Sequence, residues 1–412
     1  MAQLISDKEI VTKFLLNTYG DLFNFTCILA ISDCTEIATI GRLRSDDRCD
    51  FIPSISGSAV EFYIHPMLSC VGDYDIMYHH SDELAIPAGT APPADLPGEF
   101  DSRVLVCEIV DSEFPGFVYL VRSYLLTECI DDGKYNCVEC ERGYKIYELD
   151  NANHGPALMT IWSIETEYPV FGRLAGSSYS QDTVYCMRCL SWPHQAADWP
   201  TRHRNYGWPD SATVDRVVSN GCDVVQVAHR QCRQDEWMRH TQHRLSFSRA
   251  EVELLNSWTK VQQIVYHMLR VFVKIERLTD SDHSAFSNYH IKTLMLWGCE
   301  LKPRSWWTDD LNVVRLSVEL LHTLAVWLTD IRCPHYFIHK CNLFDHPYNW
   351  HSSQALIASR LMSLTDESMA EWFVYNYIRK CARLYPEYFS QLLDNDSSKT
   401  DIVNVASEVV DY

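Results

Sequence analysis

Apolar residues first recur at helical spacing between positions 7 and 24. There Ile10, Val11, Phe14, Leu15, Tyr19 and Leu22 fall on one stripe and predict an opening helix. From about 59 to 190 the pattern shortens to strand-like runs, at Ala59–Ile64, Asp73–Tyr78, Val104–Ile109, Phe117–Leu125 and Val184–Leu190. Residues 86–93 form a loop by their Pro, Ala and Gly content, and Asp131-Asp132-Gly133-Lys134 reads as a tight turn between strands. From about 213 the period becomes helical. Ser248, with Glu251 three positions on, has the form of a capping box. Behind it Val252, Leu255, Trp258, Val261, Ile264, Val265, Met268, Phe272 and Val273 make an apolar stripe over several turns. Residues 312–329 and 367–386 repeat that periodicity, and no internal repeat is visible. A strand-rich first half and a helical second half predict an α+β protein of two packed lobes. The expected division is a mixed-sheet core over 1–212, with the N-terminal helix, and a helical C-terminal lobe over 213–390. The acidic tail 391–412 lacks the apolar content to fold. A cleft between the lobes is the natural place for a ligand.

Charge narrows the choice of partners. The 412 residues carry a formal charge of −20, yet 201–300 holds thirteen Lys and Arg against eleven Asp and Glu, whereas the first 200 hold twelve against thirty. Phosphate neutralisation drives most nucleic-acid affinity, so any polyanion site is expected to be local and to lie in 201–300. Within it His229, Arg230, Arg233, Arg239, His240, His243 and Arg244 make a cation-rich cluster, broken by Asp235 and Glu236. It suits either ligand sensing or a solvated loop. Residues 1–8 show no signal peptide and no apolar run is long enough to span a membrane, so a cytoplasmic protein without a membrane partner is expected. The sixteen cysteines then read as reduced thiols. Cys137 and Cys140, with Cys186 and Cys189, have zinc-like spacing, but three-residue separation on a strand turns Cys186 and Cys189 to opposite faces.

The candidate chemistry lies earlier. Gly57-Ser58 is a turn that lets backbone approach a phosphate and offers it a hydroxyl. Asp73 and Asp75, two apart on one strand, leave the same face and can converge on a divalent ion. Such carboxylates with a phosphate-gripping turn are what metal-assisted nucleotidyl transfer needs, although Asp-x-Asp also suits a solvated strand edge.

Several strings taken in order resemble the cyclic GMP-AMP synthase-like receptors and their Mab-type relatives, over roughly residues 50–345. They are Gly57–Glu61, Asp73–Asp75, His154–Leu158, Trp192-Pro193, Arg204–Pro209, Arg244–Ser248, Phe286–Thr293, Tyr336–Ile338 and Asn342–Phe344. The resemblance implies a bilobal nucleotidyltransferase core closed by a helical lobe. It implies a third catalytic and metal-binding carboxylate shortly before a Trp-Pro, here Asp182, with Glu165 and Glu167 as alternatives. It further implies nucleotide contacts from Gly57, Ser58, Arg244, Ser246, Asn288 and Tyr289, the last also suited to core packing. Arg270 stands nearest to the family's triphosphate-contacting lysine, and Lys274 and Lys292 could reach phosphates or face solvent. The implied activity is ligand-activated synthesis of cyclic GMP-AMP or a similar cyclic dinucleotide from ATP and GTP, with Mg2+ (or Mn2+), in innate immune signalling. The zinc-binding insertion of the vertebrate DNA sensor is absent after Ser248. That points to double-stranded RNA or another anionic activating ligand, sensed through Arg230, Arg233 and Arg239, with a homodimer forming on the ligand. The alternative is a catalytically silent Mab-type protein that binds a nucleotide or a partner.

Overall fold

The computed structural model describes residues 6–19, 51–56, 74–146, 181–232, 234–278, 287–308, 312–345 and 351–384; of 51–56, 74–76, 181–183 and 351–353 it describes the backbone. Among these residues eight strands form one mixed sheet: β1 (Phe51–Ser56), β2 (Tyr74–Pro87), β3 (Arg103–Asp111), β4 (Phe117–Glu128), β5 (Tyr135–Tyr144), β6 (Gln181–Cys189), β7 (Cys222–Val225) and β8 (Gln242–Ser246). Strand β2 is the hub. One of its edges pairs with antiparallel β1 and then parallel β3, and the other with parallel β6. From β3 the pairing runs through β4, β8 and β7 to β6 and so returns to β2.

The runs at 104–109, 117–125 and 184–190 are strands as expected, and Gly133, at φ 68°, turns β4 into β5. The run at 59–64 and the acidic tail lie outside the described residues. Strand β2 departs most from expectation. It continues through Ile86 and Pro87, which composition assigned to a loop, because its polar residues find partners: buried Glu83 takes Lys145, and buried His79 takes Arg249. The change to helices at 213 is also partial, since β7 and β8 return to complete the sheet.

The helices are α1 (Asp7–Thr18), α2 (Ser211–Ser219), α3 (Glu236–Thr241), α4 (Ser248–Asn256), α5 (Lys260–Ile275), α6 (Asn288–Leu301), α7 (Val313–Thr329), α8 (His351–Met362), α9 (Asp366–Phe373) and α10 (Arg379–Leu384), with a π-helical turn at Val374–Ile378 between the last two. A Ser6/Glu9 capping box starts α1. This helix packs on the C-terminal helices: Phe14 meets the Tyr377 ring edge-on at 6.1 Å, and Lys8 reaches Glu367 at 2.6 Å. The long stripe after Ser248 is two helices, not one. The chain breaks at 257–259, and Thr259 caps α5 with Gln262 answering it. The capping box expected at Ser248 does not form. Phe247 holds the N-cap position, Ser248 donates to Met77 Sδ at 3.0 Å, and Glu251 is spent on buried Lys292.

One continuous core joins sheet and helices, from Cys107, Val118 and Leu245 to Leu269, Leu321 and Phe373. A smaller core around Leu84, Val104, Val106 and Leu126 also lies on the sheet. Much of the motif text serves this packing. Trp199, Phe247 and Phe337 form one aromatic knot, with Phe247 stacked on Phe337 at 4.6 Å and Trp199 tilted against Phe337 at 5.2 Å. Asn342 accepts from the amides of Cys333 and Phe344 and donates to the carbonyl of Ile331, which holds that turn.

Candidate functional site

The backbone register gives the clearest view of the site. Asp75 of β2 lies opposite Asp182 of parallel β6 on one side and opposite Ser56 of β1 on the other. Ser56 is the last residue of β1, and Gly57-Ser58 follows it in the sequence. One row across three strands thus holds two of the three expected acids and the end of β1. Gly57, Ser58 and Asp73 lie outside the described residues, as do Arg233, Glu165, Glu167 and the side chains of Asp75 and Asp182.

Farther along the same strands Met77 lies opposite Val184 and His79 opposite Cys186. Met77, Cys186 and Val225 form a small buried cluster there. The start of α4 is tied to these strands through Ser248 and Met77 and through Arg249, whose Nη2 is 2.8 Å from His79 Nε2. Ser246, the last residue of β8, is half-buried opposite Asp223 of β7.

Arg244 is exposed on β8 and acts electrostatically on Tyr289 and His335. Tyr289, in the first turn of α6, places its hydroxyl 3.1 Å from His335 Nε2. His335 Nδ1 accepts from the amides of Phe337 and Ile338 at 3.0 and 3.1 Å, so the ring proton sits on Nε2 and is donated to the tyrosine oxygen. Burial first, and then the nearby Glu251 carboxylate, push the Tyr289 phenol well above its usual range. Its hydroxyl is therefore a neutral, fixed group, while the residue as a whole is half-buried. Lys292 neither faces solvent nor reaches out for phosphate. It is buried, and its Nζ lies 2.8 Å from Glu251 Oε2. Asn288 Oδ1 is buried without a hydrogen-bond partner among the described residues.

The other candidates are more dispersed. Arg270 is buried in α5, its guanidinium 6.0 Å from the Tyr266 ring, and Lys274 is half-buried in the last turn of the same helix. Arg230 and Arg239 are exposed, near the start of a single 3-10 turn and within α3. The cation cluster loses two members. His229 stacks on Phe114 at 4.1 Å, and His243 is buried with its Nδ1 2.8 Å from the Thr241 carbonyl. Among the described residues the cysteines are free thiols, and no group of three or more His, Cys, Asp or Glu stands together as metal ligands.

Sequence reasoning did not single out Arg249, Asp223, His79 or His335, and it read Glu251 as half of a capping box and not as the partner of Lys292.

Buried histidines make an acid-sensitive fold. Burial holds the imidazole of His79 at about 3, of His243 at about 4 and of His335 at about 3, helped by Arg249 at His79 and by Arg244 at His335. Their unfolded value is about 6.5, so the unfolded chain binds more protons below that pH. Stability is then fully present above about pH 6.5 and falls as pH drops toward these folded values. The urea midpoint should therefore decrease from pH 7 to pH 5, and His243→Gln should make that decrease shallower. Parallel profiles for parent and variant would contradict this assignment.

Comparison with known proteins agrees with the fold. Residues 125–257 match the Mab-21 protein nucleotidyltransferase domain, and residues 258–359 match the Mab-21 protein HhH/H2TH-like domain. The boundary between the two falls at the break between α4 and α5. A "Protein mab-21-like" of Aedes aegypti is 31% identical over 161 residues, covering 37% of this chain and 40% of that protein. A "Protein mab-21-like" of Anopheles gambiae is 30% identical over 175 residues, covering 40% and 44%. The chain thus spans less than half the length of the curated relatives it matches. Among the described residues no helix is long and apolar enough to cross a membrane. Over residues 125–359 the chain thus carries the two consecutive domains of the Mab-21 family, the nucleotidyltransferase domain and the HhH/H2TH-like domain.

Proposed function

We propose that this chain is a ligand-activated nucleotidyltransferase that joins ATP and GTP, or two like nucleotides, into a cyclic dinucleotide messenger. The observation that carries the reading is the register of Asp75 opposite Asp182, with β1 ending beside them just before Gly57-Ser58. Carboxylates are the donor type that Mg2+ or Mn2+ prefers, and Asp73, Asp75 and Asp182 would hold two such ions. When bound, the metal supplies charge neutralisation and an activated nucleotide hydroxyl. Gly57 and Ser58 grip the triphosphate, and Arg270 and Lys274 add positive charge to its surroundings. Arg244, Ser246, Asn288 and Tyr289 orient the bases and phosphates. A ribose hydroxyl of one nucleotide attacks the α-phosphorus of the other. One P–O bond forms, the bond to pyrophosphate breaks, and the hydroxyl proton leaves with solvent; a second such step closes the ring.

Activation follows from a polyanion, such as double-stranded RNA, on the exposed Arg230 and Arg239 together with Arg233, with two copies gathered on one ligand. A cytoplasmic site of action in immune signalling accords with this chemistry. A second reading, a silent nucleotide- or partner-binding protein, draws on Lys292 and the Tyr289 hydroxyl, which are already engaged by Glu251 and His335 within the chain.

One assay separates the two. Purified protein is incubated with labelled nucleoside triphosphates, Mg2+ or Mn2+, and a panel of polyanions that includes double-stranded RNA. The expected result is a phosphatase-resistant product whose yield rises with one of the polyanions and falls steeply with salt. Nucleotide binding without product under every condition would favour the silent protein.

A further inference from the structure

Arg249, in the first turn of α4, bridges two strands that are not neighbours. Its Nη2 lies 2.8 Å from His79 Nε2 on β2, and its Nε lies 3.3 Å from Asp223 Oδ2 on β7. Asp223 and His79 are buried. Asp223 is also approached by Arg188 of β6, with Nη1 at 3.6 Å from Oδ1. Arg188 is itself buried and donates to the carbonyls of Cys189 and Cys222 at 3.2 and 2.9 Å, and to that of Asn220. One network therefore joins β2, β6, β7 and the start of α4.

Its position along β2 gives the network a purpose. The β2–β6 ladder runs in register from Tyr74 to His79, then loses register before resuming at Leu84. The segment that carries Asp75 is thus decoupled from the regular ladder beyond it. A one-residue slip of a strand turns every side chain to the other face. His79 is the last residue in register before the irregularity, and it is the one that Arg249 holds.

Buried ion networks contribute little net stability compared with apolar packing, and their best-attested use is to specify registry. We infer that Arg249 is a positioning residue: by holding His79 against Asp223 it locks the register of β2 that sets Asp75 opposite Asp182. The consequence for metal binding rests on the function proposed above, whereas the lock itself is a property of the fold.

The test measures Mn2+ binding by electron paramagnetic resonance in the presence of a non-hydrolysable ATP analogue, together with urea unfolding. The variants are Arg249→Met, Arg249→Lys, Asp75→Asn and Glu300→Gln, the last perturbing a buried contact away from this network. Removal of a group that orients metal ligands costs roughly 10–100-fold in metal affinity. Arg249→Met should lose affinity within that range. Arg249→Lys, which keeps the charge but not the two-ended fork, should lose less, and it serves if the methionine variant does not fold. Glu300→Gln should bind Mn2+ as the parent does, even where its unfolding midpoint is lower. If the parent binds, Asp75→Asn does not, and both Arg249 variants bind like the parent, the positioning role is overturned and the proposed function stands. If parent and Asp75→Asn bind alike, the metal site is elsewhere, and both the function and the role given to Arg249 fall.

Discussion

Asp75→Asn is expected to reduce nucleotidyl transfer by about 10³-fold while the protein still folds and binds nucleotide. The change removes one negative charge at nearly constant volume, from the position that lies opposite both Asp182 and Ser56. Metal stabilisation of the reacting phosphoryl group is worth several kcal/mol, and each ~1.4 kcal/mol is a factor of ten in rate. The loss should appear in kcat more than in the nucleotide KM, because the base and triphosphate contacts proposed for Arg244, Asn288 and Gly57-Ser58 are left unchanged. Unfolding and far-ultraviolet circular dichroism should match the parent. Product yield within a fewfold of the parent would remove Asp75 from the reaction.

Glu300→Ala should destabilise the protein by about 3 kcal/mol, the low end of the cost of breaking a buried ion pair, because the carboxylate is buried while its arginines are only partly so. Glu300 is buried and serves three partners: Arg202 Nη2 at 2.7 Å, Arg204 Nε at 3.6 Å and the Tyr336 hydroxyl at 2.8 Å. Both arginines also lie over aromatic rings, Arg202 at 4.5 Å from the Trp297 centroid and Arg204 at 4.8 Å from that of Trp199. Truncation would leave the half-buried Arg204 without its carboxylate and Tyr336 short of its acceptor. Glu300→Gln keeps shape and hydrogen bonding but not charge, and should cost less. Urea titration of the three proteins decides this, and a loss below about 1 kcal/mol for the alanine variant would mean that water or another carboxylate replaces Glu300.

Both effects depend on residues that were unequally visible in the sequence. Asp75 and Asp182 could be singled out by their surroundings in the text, and their strands carry apolar residues at the spacing that strands require. Glu300 could not, because a glutamate late in a helix has no local sign that two arginines from another segment will reach it. The same limit hid Arg249, Asp223 and His79, whose partners are 26 and 170 residues away from Arg249. It also shortened β2: the expected run ends at Tyr78, whereas the strand continues past the polar His79 and Glu83, whose partners Arg249 and Lys145 are distant in sequence. Local competition explains the end of the Ser248 expectation. Ser248 and Glu251 have the spacing of a capping box, yet tertiary partners Met77 and Lys292 take both side chains. The apolar stripe from Val252 to Val273 was correct in its period but silent about the break, since Ser257 and Thr259 interrupt the helix without interrupting the stripe. Motifs were more legible as text than as roles. Phe247, Tyr336, Phe337 and Asn342 stand within recognisable strings, and the structure uses them to pack and to hold a turn.

Asp75 and Asp182 are proposed to hold a divalent ion between two neighbouring strands. Anomalous diffraction at the manganese edge tests it most directly, on crystals of the protein grown with Mn2+ and a non-hydrolysable ATP analogue. The account predicts a peak within about 2–2.5 Å of carboxylate oxygens from both Asp75 and Asp182, next to the triphosphate and lost in Asp75→Asn. A bound nucleotide with no peak between these two residues, or with the peak unchanged in that variant, would contradict it.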